Sequence, residues 1–238
     1  MLVLAVDSAT PVAGVALVND EKVIREDFVN YKKTHSETLM PMIDKVLKEC
    51  DCCLDDIDAI AVTIGPGSFT GLRIGMATVK GLCLASGKPL VGISTLEVLA
   101  HNITGSDAMV CPLLDARKQE VYCGFFNVSS GLPQEIAATT ACSPQEFAAA
   151  ALDLARQNDI DRFILLGDGY YAYKDYFQQE FGQKLIKVPS HLLLPRAAAA
   201  GSLGIIKASQ GDFKDIFQLR PVYLRLSEAE YRLGRGEL

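Results

Sequence analysis

The sequence predicts a two-lobed α/β protein in which each lobe is a mixed sheet with helices. Two observations carry this. Leu2 to Val6 and Met109 to Leu114 are short, unbroken apolar runs, and each stops at an aspartate, Asp7 and Asp115. Runs of that length without alternation suit strands buried on both faces. After each aspartate the same order follows: strand, strand, helix. The repeat is one of topology, because the letters of the two halves differ. With 238 residues, 49% of them hydrophobic, the chain can fill two cores.

Taken in order, Val12 to Val18 reads as a second strand with Gly14 as an internal weak point. Asn19-Asp20 signals a hairpin turn, and Lys22 to Tyr31 alternates as a third strand. The lobe therefore opens with three antiparallel strands, begun by a central one. Thr34 and Glu37 spell a capping box, so a helix begins near His35. Leu39, Met42, Ile43, Val46 and Leu47 recur at helical spacing, and Pro41 should kink that helix. Ile57 to Ile64 is a buried strand. Gly65 to Gly71 is a tight turn into a helix that reaches about Ala85, Pro89 to Ile93 is a strand, and Ser94 caps a third helix.

The second half repeats the plan. Glu120 to Asn127 and Glu135 to Thr140 read as strands, Ser143 caps a helix to about Arg156, and Phe163 to Leu166 is a buried strand closed by Gly167-Asp168-Gly169. Helices follow near Tyr173 to Phe181 and Arg196 to Ser209. Thr104-Gly105-Ser106-Asp107 is the candidate boundary, giving lobes 1–104 and 105–238, with the last helix packing back on the first lobe.

Charge bounds the function. There are 23 basic and 29 acidic residues, a net charge of −6, with no basic stripe. A protein that held a nucleic acid unaided should show one, so any RNA contact is expected through a partner. The seven cysteines are odd in number and mostly apolar in context, and Cys50, Cys52 and Cys53 lack a second ligand pair at zinc spacing. Free thiols in a reducing cytoplasm are expected, with no metal and no cofactor. The apolar start is too short for a signal peptide, and no run reaches membrane-spanning length.

Asp7 and Asp115 sit where two-lobed phosphotransferases keep the aspartates of their nucleotide cleft. This resembles the actin–sugar kinase–Hsp70 superfamily, a ribonuclease H-like fold. Both phosphate turns depart from that pattern. Asp7-Ser8-Ala9-Thr10-Pro11 lacks the glycine two residues on, and Asp115-Ala116-Arg117 has alanine there. Asp7, Asp115, Gly167, Asp168 and Gly169 are therefore expected to line a vestigial nucleotide cleft, each aspartate doubling as a strand-end cap. The string Gly65 to Gly75 is not a Walker loop, because no lysine is in place. Ser68 lacks a nucleophile elbow, and His35, His101 and His191 are scattered, so Ser68 or Thr70 reads as a helix N-cap. On the helix that follows, Gly71, Gly75, Thr78 and Leu82 share one face, as if a second helix approached closely.

His35-Ser36-Glu37-Thr38-Leu39, Gly65 to Gly75, Asp115-Ala116-Arg117 and Tyr223-Leu224-Arg225 together resemble the bacterial TsaB (YeaZ) family. That family is the non-catalytic paralogue of TsaD in tRNA threonylcarbamoyladenosine biosynthesis. TsaD carries two metal-binding histidines four apart, and counting from Pro89 those positions fall on Thr95 and Leu99. The resemblance implies an accessory subunit, not an enzyme. It would pair with a TsaD-type transferase through its first two helices and recruit a TsaE-type ATPase. It would meet tRNA only through the complex and self-associate as a homodimer when alone. The interface residues it implies are Leu39, Met42, Ile43, Val46, Leu72, Gly75, Thr78, Val79 and Leu82. The alternative is an independent hydrolase using Ser68 or a kinase-like ATPase using Asp7 and Asp115. A strand that closes the fold is one reading of Tyr223-Leu224-Arg225.

Overall fold

The computed structural model describes residues 1–31 and 34–225. The last thirteen residues of the expected second lobe, 226–238, lie outside them. The first sheet is built from β1 (Leu2–Asp7), β2 (Ala13–Asn19), β3 (Val23–Val29), β4 (Ala59–Gly65) and β5 (Leu90–Ser94) in the order β3-β2-β1-β4-β5. β1 is antiparallel to β2 and parallel to β4. The second sheet holds β6 (Met109–Arg117), β7 (Glu120–Asn127), β8 (Gln134–Cys142) and β9 (Phe163–Leu166) in the order β8-β7-β6-β9. β6 is antiparallel to β7 and parallel to β9. The two apolar runs are thus equivalent central strands.

The first sheet is covered on both faces, which explains why its strands read as continuous apolar runs. Successive side chains of a strand point to opposite faces. Leu4 and Val6 face α1 (His35–Glu49) and α2 (Phe69–Ser86), in a cluster with Leu39, Ile43, Val46 and Val79. Val3 and Ala5 face α7 (Ala197–Ser209), in a cluster with Ala200 and Leu203. This second face is lined by small residues because α7 lies very close. A β-carbon on Gly201 would fall 2.6 Å from Val18, and one on Gly204 would fall 2.8 Å from Ala61. Glu26 of β3 fixes the start of α7, accepting from the Arg196 guanidinium at 2.5 Å and from the Ala198 amide at 3.1 Å.

α3 (Thr95–Ala100) lies between the lobes. Its Val98 belongs to the first-lobe core, while Leu96, Leu99 and Ala100 join the second-lobe core. That core is aromatic. Phe147 of α4 (Pro144–Gln157) meets Phe125, Phe177 and Phe181, and Phe163 meets Phe181, with centroids 4.7 to 6.2 Å apart. Phe177 and Phe181 come from α6 (Lys174–Phe181), which follows the short α5 (Asp168–Ala172).

Three local expectations need correction. Thr34 precedes α1 but makes no side-chain cap; its hydroxyl lies 3.2 Å from Ser36 Oγ instead. Ser94 likewise precedes α3 without a side-chain cap, whereas Ser143 does exchange hydrogen bonds with Glu146 as a full capping box. Tyr223-Leu224-Arg225 is not a strand but an irregular segment held by side-chain contacts.

Candidate functional site

In open α/β sheets, ligands bind outside the carboxyl ends of the strands. Here those ends carry Asp7 and the turn after β1, Gly65 and the turn after β4, Asp115 to Gln119 at the end of β6 and its turn, and Gly167 after β9.

The two first-lobe turns are pressed together. A β-carbon on Gly67 would lie 2.2 Å from the Ala9 carbonyl oxygen, one on Gly71 would lie 2.1 Å from the Ser8 carbonyl oxygen, and one on Gly75 would lie 2.1 Å from Ser8 Oγ. Ser8 Oγ donates to the Gly71 carbonyl at 2.9 Å, and the Ser68 amide donates to Ala9 O at 2.6 Å. The glycines at 67, 71 and 75 therefore receive the Ser8-Ala9 turn. At Gly71 and Gly75 the small-residue face receives this turn and not a second helix. Ser68 Oγ accepts from the Gly71 amide at 3.2 Å and caps α2, as its sequence position suggested.

Asp7 is wholly buried. Its Oδ1 accepts from Thr63 Oγ1 at 2.6 Å and from the Ala9 amide at 3.2 Å, while Oδ2 is buried with no partner. Burial pushes this carboxyl above the ordinary carboxylate range, against the opposing pull of the Thr63 hydroxyl, the Ala9 amide and the His35 charge. In the second lobe the Asp115 amide donates to Asp168 Oδ1 at 3.1 Å. Asp115 itself caps the β6–β7 turn, accepting from the Arg117 amide at 2.8 Å and pairing with the Arg117 guanidinium at 3.0 Å. Burial raises the Asp168 carboxyl, and the Asp115 charge adds to the rise. The structure thus brings Asp115 and Asp168 together. No hydrogen bond or ion pair links Asp7 to them among the described residues.

Gly167 and Gly169 do not leave room for a phosphate on their β6 side. A β-carbon on Gly167 would lie 2.0 Å from the Leu113 carbonyl oxygen, and one on Gly169 would lie 2.9 Å from backbone carbons of Leu113 and Leu114. The close approach that glycine permits is made by the chain's own β6 backbone. Thr95 and Leu99 are both wholly buried, and Leu99 packs in the second-lobe core. Neither side chain is a nitrogen donor for a transition metal. All seven cysteines are free thiols, and among the described residues no cluster of His, Cys, Asp and Glu could hold a metal. Among them, too, no helix is long and apolar enough to cross a membrane.

The expected partner-interface residues fall mostly inside the molecule. Leu39, Met42, Ile43, Val46, Leu72, Gly75 and Val79 are buried, the six with side chains at 7% exposure or less, because these faces of α1 and α2 pack on the first sheet and on the Ser8-Ala9 turn. Only Thr78 and Leu82 are half-buried. The outward face carries Met40, Ala77, Gly81, Leu84 and Ala85 instead, with Met40 48% and Leu84 56% exposed. The sequence pattern marked two helices with apolar residues on several sides but not which of those faces the sheet would claim.

Sequence reasoning suggested an anion or a partner carboxylate for Arg73 and a closing strand for Tyr223, and did not bring Phe69, Arg73 and Tyr223 together. The Tyr223 ring stacks on Phe69 at 4.7 Å, Arg73 lies 3.8 Å over the Phe69 ring, and Arg73 Nε donates to Tyr223 Oη at 3.0 Å. The only signal was the i, i+4 spacing of Phe69 and Arg73.

Two sheets repeating one strand order, with glycine turns at the ends of equivalent strands, define a two-lobed protein of the actin–sugar kinase–Hsp70 class. The activator of 2-hydroxyisocaproyl-CoA dehydratase from Clostridium difficile, solved with bound ADPNP, shares the fold alone: TM-score 0.52 at 12% identity over 90% of this chain and 99% of that one. The family model of TsaD, tRNA N6-adenosine threonylcarbamoyltransferase, matches residues 23–233. The tRNA threonylcarbamoyladenosine biosynthesis protein TsaB of Bacillus subtilis (strain 168) is 32% identical over 231 residues, 97% of this chain and 96% of the relative. YeaZ from Pseudomonas aeruginosa matches at TM-score 0.76 and 28% identity, over 94% of this chain and 99% of that one. The chain belongs to the TsaB (YeaZ) family.

Proposed function

We propose that this chain acts in the biosynthesis of threonylcarbamoyladenosine in tRNA as a non-catalytic scaffold. It pairs with a TsaD-type transferase. With a TsaE-type ATPase it supports transfer of the threonylcarbamoyl group to the adenosine beside the anticodon. In this reading the lobes are 1–104 and 105–238, with α7 crossing back to cover the first sheet. The protein works in the cytoplasm and forms a homodimer when alone.

The observation that carries the reading is the self-filling of the strand ends. Gly67, Gly71 and Gly75 hold the Ser8-Ala9 turn, and Gly167 and Gly169 hold the β6 backbone. The close approach that each of these glycines permits is used by the chain itself. Thr95 is wholly buried, and Leu99 is spent on core packing. What α1 and α2 present outward is Met40, Ala77, Gly81 and Leu84, and nothing lies within 4 Å of a β-carbon placed on Gly81. A helix of a partner could settle against that small-residue face, and the net charge of −6 leaves the positive surface for tRNA to the partner.

The test is size-exclusion chromatography with light scattering, on this protein mixed with its TsaD-type counterpart, with and without Gly81→Arg. The expected result is a heterodimer for the parent and separate species for the variant, whose melting midpoint stays unchanged. If the variant binds like the parent, the face is misassigned. If the parent forms no complex, the scaffold reading falls and ATP turnover by the chain alone becomes the next assay.

A further inference from the structure

After α7 the chain returns along the first lobe. The Lys214 amide donates to Leu90 O of β5 at 2.8 Å, and Lys80 Nζ of α2 donates to Leu219 O at 2.7 Å. The Val222 amide then donates to Ile64 O at 2.7 Å, beside the turn after β4. Tyr223 lies on Phe69 and accepts from Arg73, as described. Two residues later the same segment touches the other lobe: Arg225 Nη1 donates to Ala116 O at 2.9 Å and pairs with Glu120 at 2.7 Å.

The receiving surface is shaped for this segment. Gly65 has a φ of 114°, and a β-carbon there would lie 2.7 Å from Val222 O, so only glycine lets the segment seat. Phe69 and Arg73 stand one turn apart on α2 and so share a face. Gly65, Phe69 and Arg73 account for much of the strongest motif in the sequence, and all three meet Val222 or Tyr223. Across the crevice, Arg225 reaches a backbone carbonyl of β6 and a carboxylate at the start of β7. A charge-assisted pair of this kind is stronger than a neutral hydrogen bond.

We propose that Gly65, Phe69 and Arg73, with Ala116 O and Glu120 opposite, form a peptide-binding site whose ligand is the chain's own Val222-Tyr223-Leu224-Arg225. Its occupancy fixes the lobes to each other. In the sugar-kinase class a nucleotide spans the strand ends of both lobes; here a strap of protein does so. The α1–α2 face is thereby held in one arrangement without any small ligand.

The test is amide hydrogen exchange read by mass spectrometry on the full chain, with Tyr223→Ala and Arg225→Ala made separately. Among the described residues the hydrogen bonds, ion pair and ring contacts of Tyr223 go to the first lobe and those of Arg225 to the second, so the crossed effects decide. Arg225→Ala is expected to speed exchange across Ile64 to Leu72, and Tyr223→Ala to speed it across Leu114 to Val121. Each change should be at least about tenfold, the scale of one lost charge-assisted hydrogen bond. Exchange in α4, remote from the strap, should stay as in the parent and reports that the variant is folded. If each substitution disturbs only the turn it touches, or neither, the segment does not couple the lobes and the proposal is overturned. Should Tyr223→Ala fail to fold, Tyr223→Leu in the same measurement gives the same decision.

Discussion

Gly75 of α2 rests directly on Ser8: a β-carbon at position 75 would stand 2.1 Å from Ser8 Oγ. That contact is one of three by which Gly67 and α2 close over the turn after β1. The nearest atom is a side-chain hydroxyl that already donates to Gly71 O, so it cannot swing away freely. Gly75→Ala should therefore act as overpacking and cost about 1–3 kcal/mol, against a gain of about 0.8–1 kcal/mol in helix propensity from alanine, so a net loss is expected. Ser8→Gly in the same background should recover much of that loss. Urea unfolding of the two single variants and the double variant checks this. Additive losses would mean that Ser8 is not what Gly75 accommodates.

How far the sequence reveals this can be judged residue by residue. The central strands were legible because burial on both faces leaves an unbroken apolar run, as in Leu2 to Val6 and Met109 to Leu114. The glycines at 71 and 75 announced a close approach, but not its object, because Ser8 is 63 residues from Gly71 in the chain. The seat of Tyr223 on Arg73 spans 150 residues and leaves no local trace. Among the candidate cleft residues, Asp115 and Asp168 do meet, through the Asp115 amide. The expected interface residues lie mostly inside the molecule for a simpler reason. Helical periodicity marks an apolar face, and on α1 and α2 the most apolar face belongs to the sheet.

The outward face makes its own prediction about self-association. Leu84 is 56% exposed on α2, and Met40 is 48% exposed on α1. A two-fold contact repeats the same patch on both copies, so one charge added to the patch enters the contact twice. Leu84→Glu should convert the homodimer proposed for the isolated chain into a monomer while changing monomer stability by only about 0.5 kcal/mol, as surface substitutions usually do. Sedimentation velocity over a concentration series distinguishes the cases. A variant that remains dimeric at the parent's midpoint would move the contact off this face.

Asp7 supplies a pH dependence whose sign is fixed by its burial. Its ordinary value is 3.8, and burial raises it in the folded chain. Between 3.8 and the raised value the unfolded chain has released the proton and the folded chain still holds it. The unfolded state then binds fewer protons, so stability falls as pH rises through that window, and the loss is complete above it. Below 3.8 both states are protonated and Asp7 costs nothing by this route. Asp7→Asn keeps an acceptor for Thr63 and Ala9 and removes the charge, but places an N–H where Oδ2 has no partner. In acid the retained proton of Asp7 also places one O–H on that side, but the amide places two N–H donors there, and the extra buried donor should cost about 1 kcal/mol. The variant should therefore be the less stable protein in acid and gain on the parent as pH rises, overtaking it once the charge penalty exceeds the donor's cost. Asp168, also raised by burial, is present in both proteins and cancels from the difference. Thermal midpoints of the pair from acid to mildly alkaline pH measure this directly. A difference that stays flat would mean that Asp7 ionises as it does in the unfolded chain, and that its burial is relieved by something other than a retained proton.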